Sequence, residues 1–139
     1  MARYLAVAHQ TAESEEFVKA VHRLVIDDAD PRVVLVVPAT PVKHLLDAYT
    51  EVQGEKIAEA KALAAKSQLE AAGVPVEEAR VGDPRPYEAV IDALNQSDFD
   101  EIIVSTFPKG ISQWLRMDAI HRLEQKLRRP ITHVVVPRN

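Results

Sequence analysis

The stretch best equipped for chemistry is Ser105-Thr106-Phe107-Pro108-Lys109-Gly110. Two hydroxyls close an apolar run, and a Lys-Gly pair stands ahead of a helical pattern. Backbone N–H groups at a helix start hold anions, and Lys109 adds positive charge. Pro-Lys-Gly is also an ordinary turn sequence, so the pattern alone is weak. Ser105 or Thr106 would act as a nucleophile only beside a positioned base. The one base within reach is His9, after the first apolar run. No acid that would orient His9 is apparent, and there is no G-x-S-x-G elbow. The expectation is therefore a domain without catalysis, and a small enzyme using His9 and the Ser105–Gly110 loop stays as an alternative.

Other candidates read as structural. His9, His22, His44, His121 and His133 are scattered, with no H-x3-H pair and no Cys anywhere, which argues against a metal centre and excludes thiolate ligands. His133 reads as a polar position in a strand. Trp114 suits a core or an interface. Lys126-Leu127-Arg128-Arg129 lies at a helix C-terminus, where cations meet the dipole favourably.

The bulk numbers narrow the class. At 139 residues the chain fits one domain, 1–139, with a real core. It is 47% hydrophobic but only 5% aromatic, so the core is aliphatic. A net charge of -4 argues against a general nucleic-acid surface. No segment reads as a membrane span, and Met1 to Ala8 reads as a first strand rather than a signal peptide. A cytoplasmic location is expected.

The elements that must position these residues alternate along the chain. Tyr4 to Ala8 is a short run suited to a strand buried on both faces. Ser14 is placed to cap a helix with Glu15 and Glu16 in its first turn and Phe17, Val21, Leu24 and Val25 on its inner face. Asp28 to Pro31 ends it. Val33 to Val37 is a β-branched strand that stops at Pro38. Pro41 to Gly73 is helical in character, with an interruption expected at Gly54. Ala58, Ala62, Ala65, Leu69 and Ala72 line one face, and Gly73 stands where a C′ glycine belongs. Val74 to Val81 is a mixed-polarity strand, hence near an edge. Pro86 opens a helix whose inner face is marked by Tyr87, Val90 and Leu94. Ile102 to Val104 is another buried strand. Trp114, Leu115, Ile120, Leu123 and Leu127 fall in helical segments split near Asp118, and Ile131 to Val136 is the last strand. Strands alternating with helices imply right-handed crossovers and an open five-stranded parallel sheet, an α/β fold with helices on both faces.

In such sheets ligands bind beyond the C-terminal strand ends, where the strand order reverses. That selects the loops His9 to Thr11, Val37 to Thr40, Gly82 to Pro84 and Ser105 to Gly110. The candidate ligand contacts they supply are His9, Val37, Gly82, Ser105, Thr106, Lys109 and Gly110.

The strand–helix order, the long second helix, the Gly82-Asp83-Pro84 turn and the strand Asp100-Glu101-Ile102-Ile103-Val104 together resemble the universal stress protein family over nearly the whole chain. The resemblance implies a Rossmann-like, adenine nucleotide alpha hydrolase-like sheet of order 3-2-1-4-5. It implies ATP or AMP as ligand, held by a loop after strand four written G-x2-G-x9-G-[ST], with an Asp ending strand one. Counted from strand four, the motif positions fall on Ser105, Pro108, Asp118 and Ala119, and none matches. Sliding the motif onto Gly110 puts Phe107, Ile120 and His121 at the rest. The strand-one Asp falls on His9.

These replacements disfavour a triphosphate. As a helix N-cap, Asp118 would put a carboxylate where the family puts phosphate, a repulsion of roughly 1 to 4 kcal/mol. Pro108 removes a backbone donor. Lys109, Arg116 and His9 compensate in part, which leaves room for a smaller anion or a differently posed nucleotide around Asp118 and Ala119. The expected function is a divergent, non-catalytic regulatory or stress-response domain with a modified crevice. The alternative is a dimeric interaction module without a ligand. In either case the resemblance implies a homodimer through the last strand, Thr132 to Val136; protein partners stay open, while net charge and the lack of a spanning segment argue against nucleic acid and membrane.

Overall fold

The N-terminal apolar run becomes the middle strand of a sheet. The structure is a computed structural model that describes residues 2–8, 11–12, 14–39, 51–83, 86–106, 125 and 131–136. Its elements are β1 (Ala2–Ala8), α1 (Glu15–Val25), β2 (Pro31–Pro38), α2 (Glu51–Ala71), β3 (Val76–Gly82), α3 (Pro86–Gln96), β4 (Glu101–Thr106) and β5 (Ile131–Val135). The five strands pair in the order β3-β2-β1-β4-β5, every pair parallel. Class and strand order are those expected. Of the expected Trp114–Leu127 helical segments only Gln125, which is helical, is among the described residues.

Leu5, Ala6, Val7 and Ala8 of β1 are all fully buried. Because side chains alternate across a strand, one set needs cover on each face. Tyr4, Ala6 and Ala8 join Phe17, Val21 and Val25 of α1 and Ala58, Ala62, Ala65 and Leu69 of α2 in one core. Leu5 and Val7 join Val34, Val36, Ile102 and Val104 with Ala89, Val90 and Ala93 of α3 in the other. The aliphatic strands are thus continuous apolar runs.

The local signals explain the helix ends. Ser14 Oγ accepts from the Phe17 N–H at 3.0 Å and caps α1. At the far end of α2, the Gly73 N–H donates to the Glu70 carbonyl and the Val74 N–H to the Leu69 carbonyl, at 3.0 and 2.9 Å. That double closure is a Schellman motif, and it needs the positive φ of 90° that Gly73 adopts. Val74 is buried beside Leu69 as the hydrophobic partner of the motif, so the strand starts at Val76.

Two expectations are corrected. Gly54 does not interrupt the second helix, because α2 runs unbroken from Glu51 to Ala71. A single glycine costs about 1 kcal/mol in a helix interior, and the long buried alanine stripe outweighs it. Ala72 is exposed beyond the last turn. The expected inner face of α3 holds at Val90, which is buried, and at Leu94, which packs partly covered against the same core; Ala89 and Ala93 join it, and the Tyr87 side chain lies outside the described residues. Small residues are needed there because the helix sits very close to the sheet. A Cβ placed on Gly82 would lie 2.7 Å from Val36 Cγ1 and 3.0 Å from Ala89 Cβ.

The N-terminal end of the sheet is tied by polar groups. The Arg3 N–H donates to Asp100 Oδ2, and the Asp100 N–H returns a bond to the Arg3 carbonyl, both at 2.8 Å. The Arg3 guanidinium reaches Glu77 at 2.6 Å and lies 5.1 Å above the Phe99 ring. The Tyr4 hydroxyl donates to Asp28 Oδ2 at 3.1 Å. Burial first, then that bond, pushes the Tyr4 phenol up to about 12. Asp28 is held below the usual carboxylate range, chiefly by the Asp30 N–H.

Substituting Gly82→Ala is expected to overpack the α3–sheet contact and cost about 1 to 3 kcal/mol. Urea unfolding would show it as a lowered midpoint at unchanged slope. A wild-type midpoint would mean that α3 withdraws freely from the sheet.

Candidate functional site at the strand-order reversal

The chain fills the sheet on one side of β1 with β2 and β3, then crosses to the other side with β4 and β5. In open α/β sheets such a reversal is where the connections diverge and the ligand crevice lies. Ala8 and Ser105 are register partners at that point.

Thr11, in the described turn that precedes α1, lies at the end of β4. Thr11 Oγ1 and Ser105 Oγ are 2.8 Å apart, and either can be the donor. They are the two buried polar side chains among the described residues, at 1% and 0% exposure. A buried hydroxyl without a partner is costly, so each requires the other. The bond fixes the β1–α1 loop across the reversal. The same loop is held by the Ser14 N–H on the Thr11 carbonyl at 3.0 Å. The α1 N-terminus beside it is already satisfied, with Ser14 as cap and Glu15 and Glu16 in the first turn, so its dipole does not call for an anion there.

The candidate residues divide accordingly. Ser105 stands at the crevice, but its hydroxyl is engaged by Thr11. Thr106 is the last residue of β4, paired in register with Val135. Val37 lies within β2 rather than in a loop, and its side chain is wholly in the core on the α1–α2 face, so only its backbone is available to a ligand. Gly82 ends β3, and its carbonyl accepts from the Ala39 N–H at 2.9 Å. The close fit of Gly82 against Val36 and Ala89 gives its lack of a side chain a packing reason. His9, Lys109, Gly110, Asp118 and Ala119 lie outside the described residues.

Sequence reasoning missed Thr11. It stood in a selected loop, but nothing in its spacing announces that the fold will bring it onto Ser105, 94 residues away. Among the described residues no three His, Asp or Glu side chains converge as metal ligands. His133 in β5 is partly buried, which pushes its imidazole below the ordinary value toward the neutral form.

No family model and no curated protein matches the chain. Solved structures do match in fold. One is a universal stress protein in complex with cAMP, 18% identical with a TM-score of 0.58, the match covering 97% of each chain. The chain has the universal stress protein fold. A universal stress protein family member from Burkholderia pseudomallei is 14% identical with a TM-score of 0.60, covering 97% of this chain and 96% of that one. A universal stress protein family protein from Arabidopsis thaliana, with AMP bound, is 12% identical with a TM-score of 0.55, covering 99% of this chain and 92% of that one. In the universal stress protein fold adopted here, the crevice between β1 and β4 is the feature that strand order alone creates.

Thr11→Val and Ser105→Ala are each expected to destabilise by about 1 to 3 kcal/mol, because each strands the other hydroxyl in a dry site. The double variant should lose clearly less than the two losses added. Strict additivity in a denaturation cycle would show that the two hydroxyls do not depend on each other.

Proposed function

We propose that this chain is a divergent universal stress protein: a non-catalytic, cytoplasmic regulatory domain whose crevice takes an adenine nucleotide or a smaller anion in a modified pose. The observation that carries this reading is the reversal of strand order at β1 and β4, in a fold shared over 97% or more of the chain with proteins solved with cAMP and AMP. A modified pose is supported by the sequence after β4, where Pro108 and Asp118 stand at motif positions and Lys109 supplies the local positive charge. The absence of catalysis is supported by Ser105. Its hydroxyl is fully buried and bonded to another hydroxyl, and a nucleophile needs a base in that place.

The same reading includes a homodimer through β5. This strand is one edge of the sheet, contains no Asp, Glu, Lys or Arg from Ile131 to Val135, and exposes Val135. An apolar edge of this kind, beyond which no further strand pairs among the described residues, is a template for pairing. A second copy placed about a two-fold axis would cover it. Among the described residues no helix is long and apolar enough to cross a membrane.

Two measurements test the proposal. In a thermal-shift titration with ATP, ADP, AMP and cAMP, with and without Mg²⁺, at least one nucleotide should raise the melting temperature progressively, as binding to the native state requires. Lys109→Ala should weaken that response. No rise at millimolar nucleotide would remove the nucleotide from the reading. Separately, in light scattering, wild type should show a self-association step that Val135→Lys removes, and a wild-type monomer at high concentration would remove the β5 interface.

A further inference from the structure

The opposite edge of the sheet is built differently. Strand β3 carries charge, and its pairing with β2 shifts between Val33 and Val34, leaving Glu77 as the extra residue of a bulge. Bulges and charges discourage indiscriminate edge pairing. Past the bulge, however, the segment Glu78-Ala79-Arg80-Val81 is regular, in register with Val34, Leu35, Val36 and Val37.

The backbone of that segment has a defined direction. The Val33 N–H bonds to the Pro75 carbonyl and the Ala39 N–H to the Gly82 carbonyl. By the alternation of a parallel ladder, Arg80 turns its N–H and C=O toward β2, while Ala79 and Val81 turn theirs to the outer edge, where no further strand pairs among the described residues. Beside these outward groups lies a groove on the α2 face, lined by Glu59, Ala62, Leu63, Ala79, Arg80 and Val81. Leu63 is 61% exposed there.

We infer that β3 pairs antiparallel with β3 of a second copy of this chain, about a two-fold axis through Ala79. Opposite residues of an antiparallel pair lie on the same face of the sheet, and this limits the registers. With Ala79 opposite Ala79, Glu78 of each copy faces Arg80 of the other, giving two complementary cross-strand pairs. The outward N–H and C=O groups of the two Ala79 residues then face each other and exchange both bonds. With Arg80 opposite Arg80, or Glu78 opposite Glu78, like charges meet. With Ala79 opposite Arg80, residues from different faces are matched. With Val81 opposite Val81, Arg80 meets Gly82 and forms no charge pair, so charge and pleat together favour the Ala79 register. Within its own chain Arg80 bonds Glu78 at 2.9 Å and Gln96, and the incoming Glu78 would add a second carboxylate beside the same guanidinium. The pairing also brings the two Leu63 grooves together across the axis.

This edge lies on the other side of the sheet from β5, so the two interfaces are independent. Sedimentation equilibrium from about 1 µM to about 1 mM should show a self-association step that weakens as salt screens the charge pairs. Glu78→Arg and Arg80→Glu, each alone, place like charges opposite each other twice and should weaken that step about tenfold or more. An equimolar mixture of the two single variants, and the double variant Glu78→Arg/Arg80→Glu, both recreate opposite-charge pairs and should restore it. Val135→Lys should leave this step unchanged, which separates it from the β5 interface. Urea midpoints would confirm that each variant is folded. The pairing is overturned if wild type shows no such step, if the single variants associate as wild type does, or if mixing them restores nothing.

Discussion

The double-sided burial of β1 is the constraint on which the rest of this structure depends. Leu5, Ala6, Val7 and Ala8 are fully covered, and a strand without a wet face must have a layer on each side. α1 and α2 supply one layer, α3 the other. Parallel strands with helical crossovers that cover both faces must start in the middle of the sheet and reverse direction once. The reversal at β1 and β4 is therefore a consequence of how the core is buried. The crevice above it follows from the same cause.

Close packing then sharpens the crevice ends. Gly82 lets α3 approach the sheet until Ala89 sits against it and Val36. The carbonyl of Gly82 simultaneously holds the chain leaving β2 through the Ala39 N–H. On the other side of β1, Thr11 and Ser105 join the loop after β1 to the end of β4 in a dry site. The strand ends that frame the crevice are thus fixed by packing and by one buried hydroxyl pair, a rigid support on which the neighbouring loops can vary.

The two edges of the sheet embody different solutions to the same problem. β5 is short and free of formal charge from Ile131 to Val135, with Val135 exposed. β3 carries Glu77, Glu78 and Arg80 and is bulged at Glu77. An apolar edge pairs with little discrimination, whereas an edge with alternating charge admits only registers in which opposite signs meet. The charge pattern of β3 is therefore a statement about which neighbour it accepts.

By itself the sequence determined the layers. The β-branched runs at Val33 to Val37 and Ile102 to Val104, the Ser14 cap and the Gly73 stop are local signals, each resting on backbone preference or short-range bonding, and all were legible. The mixed polarity of Val76 to Val81 marked an edge for the same reason. Gly54 misled, because helix propensity is local and the buried alanine face of α2 is not. The small residues of the α3 face, Ala89 and Ala93, were hidden because the distance between helix and sheet is set by Gly82 and Val36, on other elements. Ser105 was visible as a hydroxyl at a strand end, but its partner was not. Thr11 reaches it only after the sheet has formed, across 94 residues of chain, and contacts of that separation are decided by tertiary packing alone.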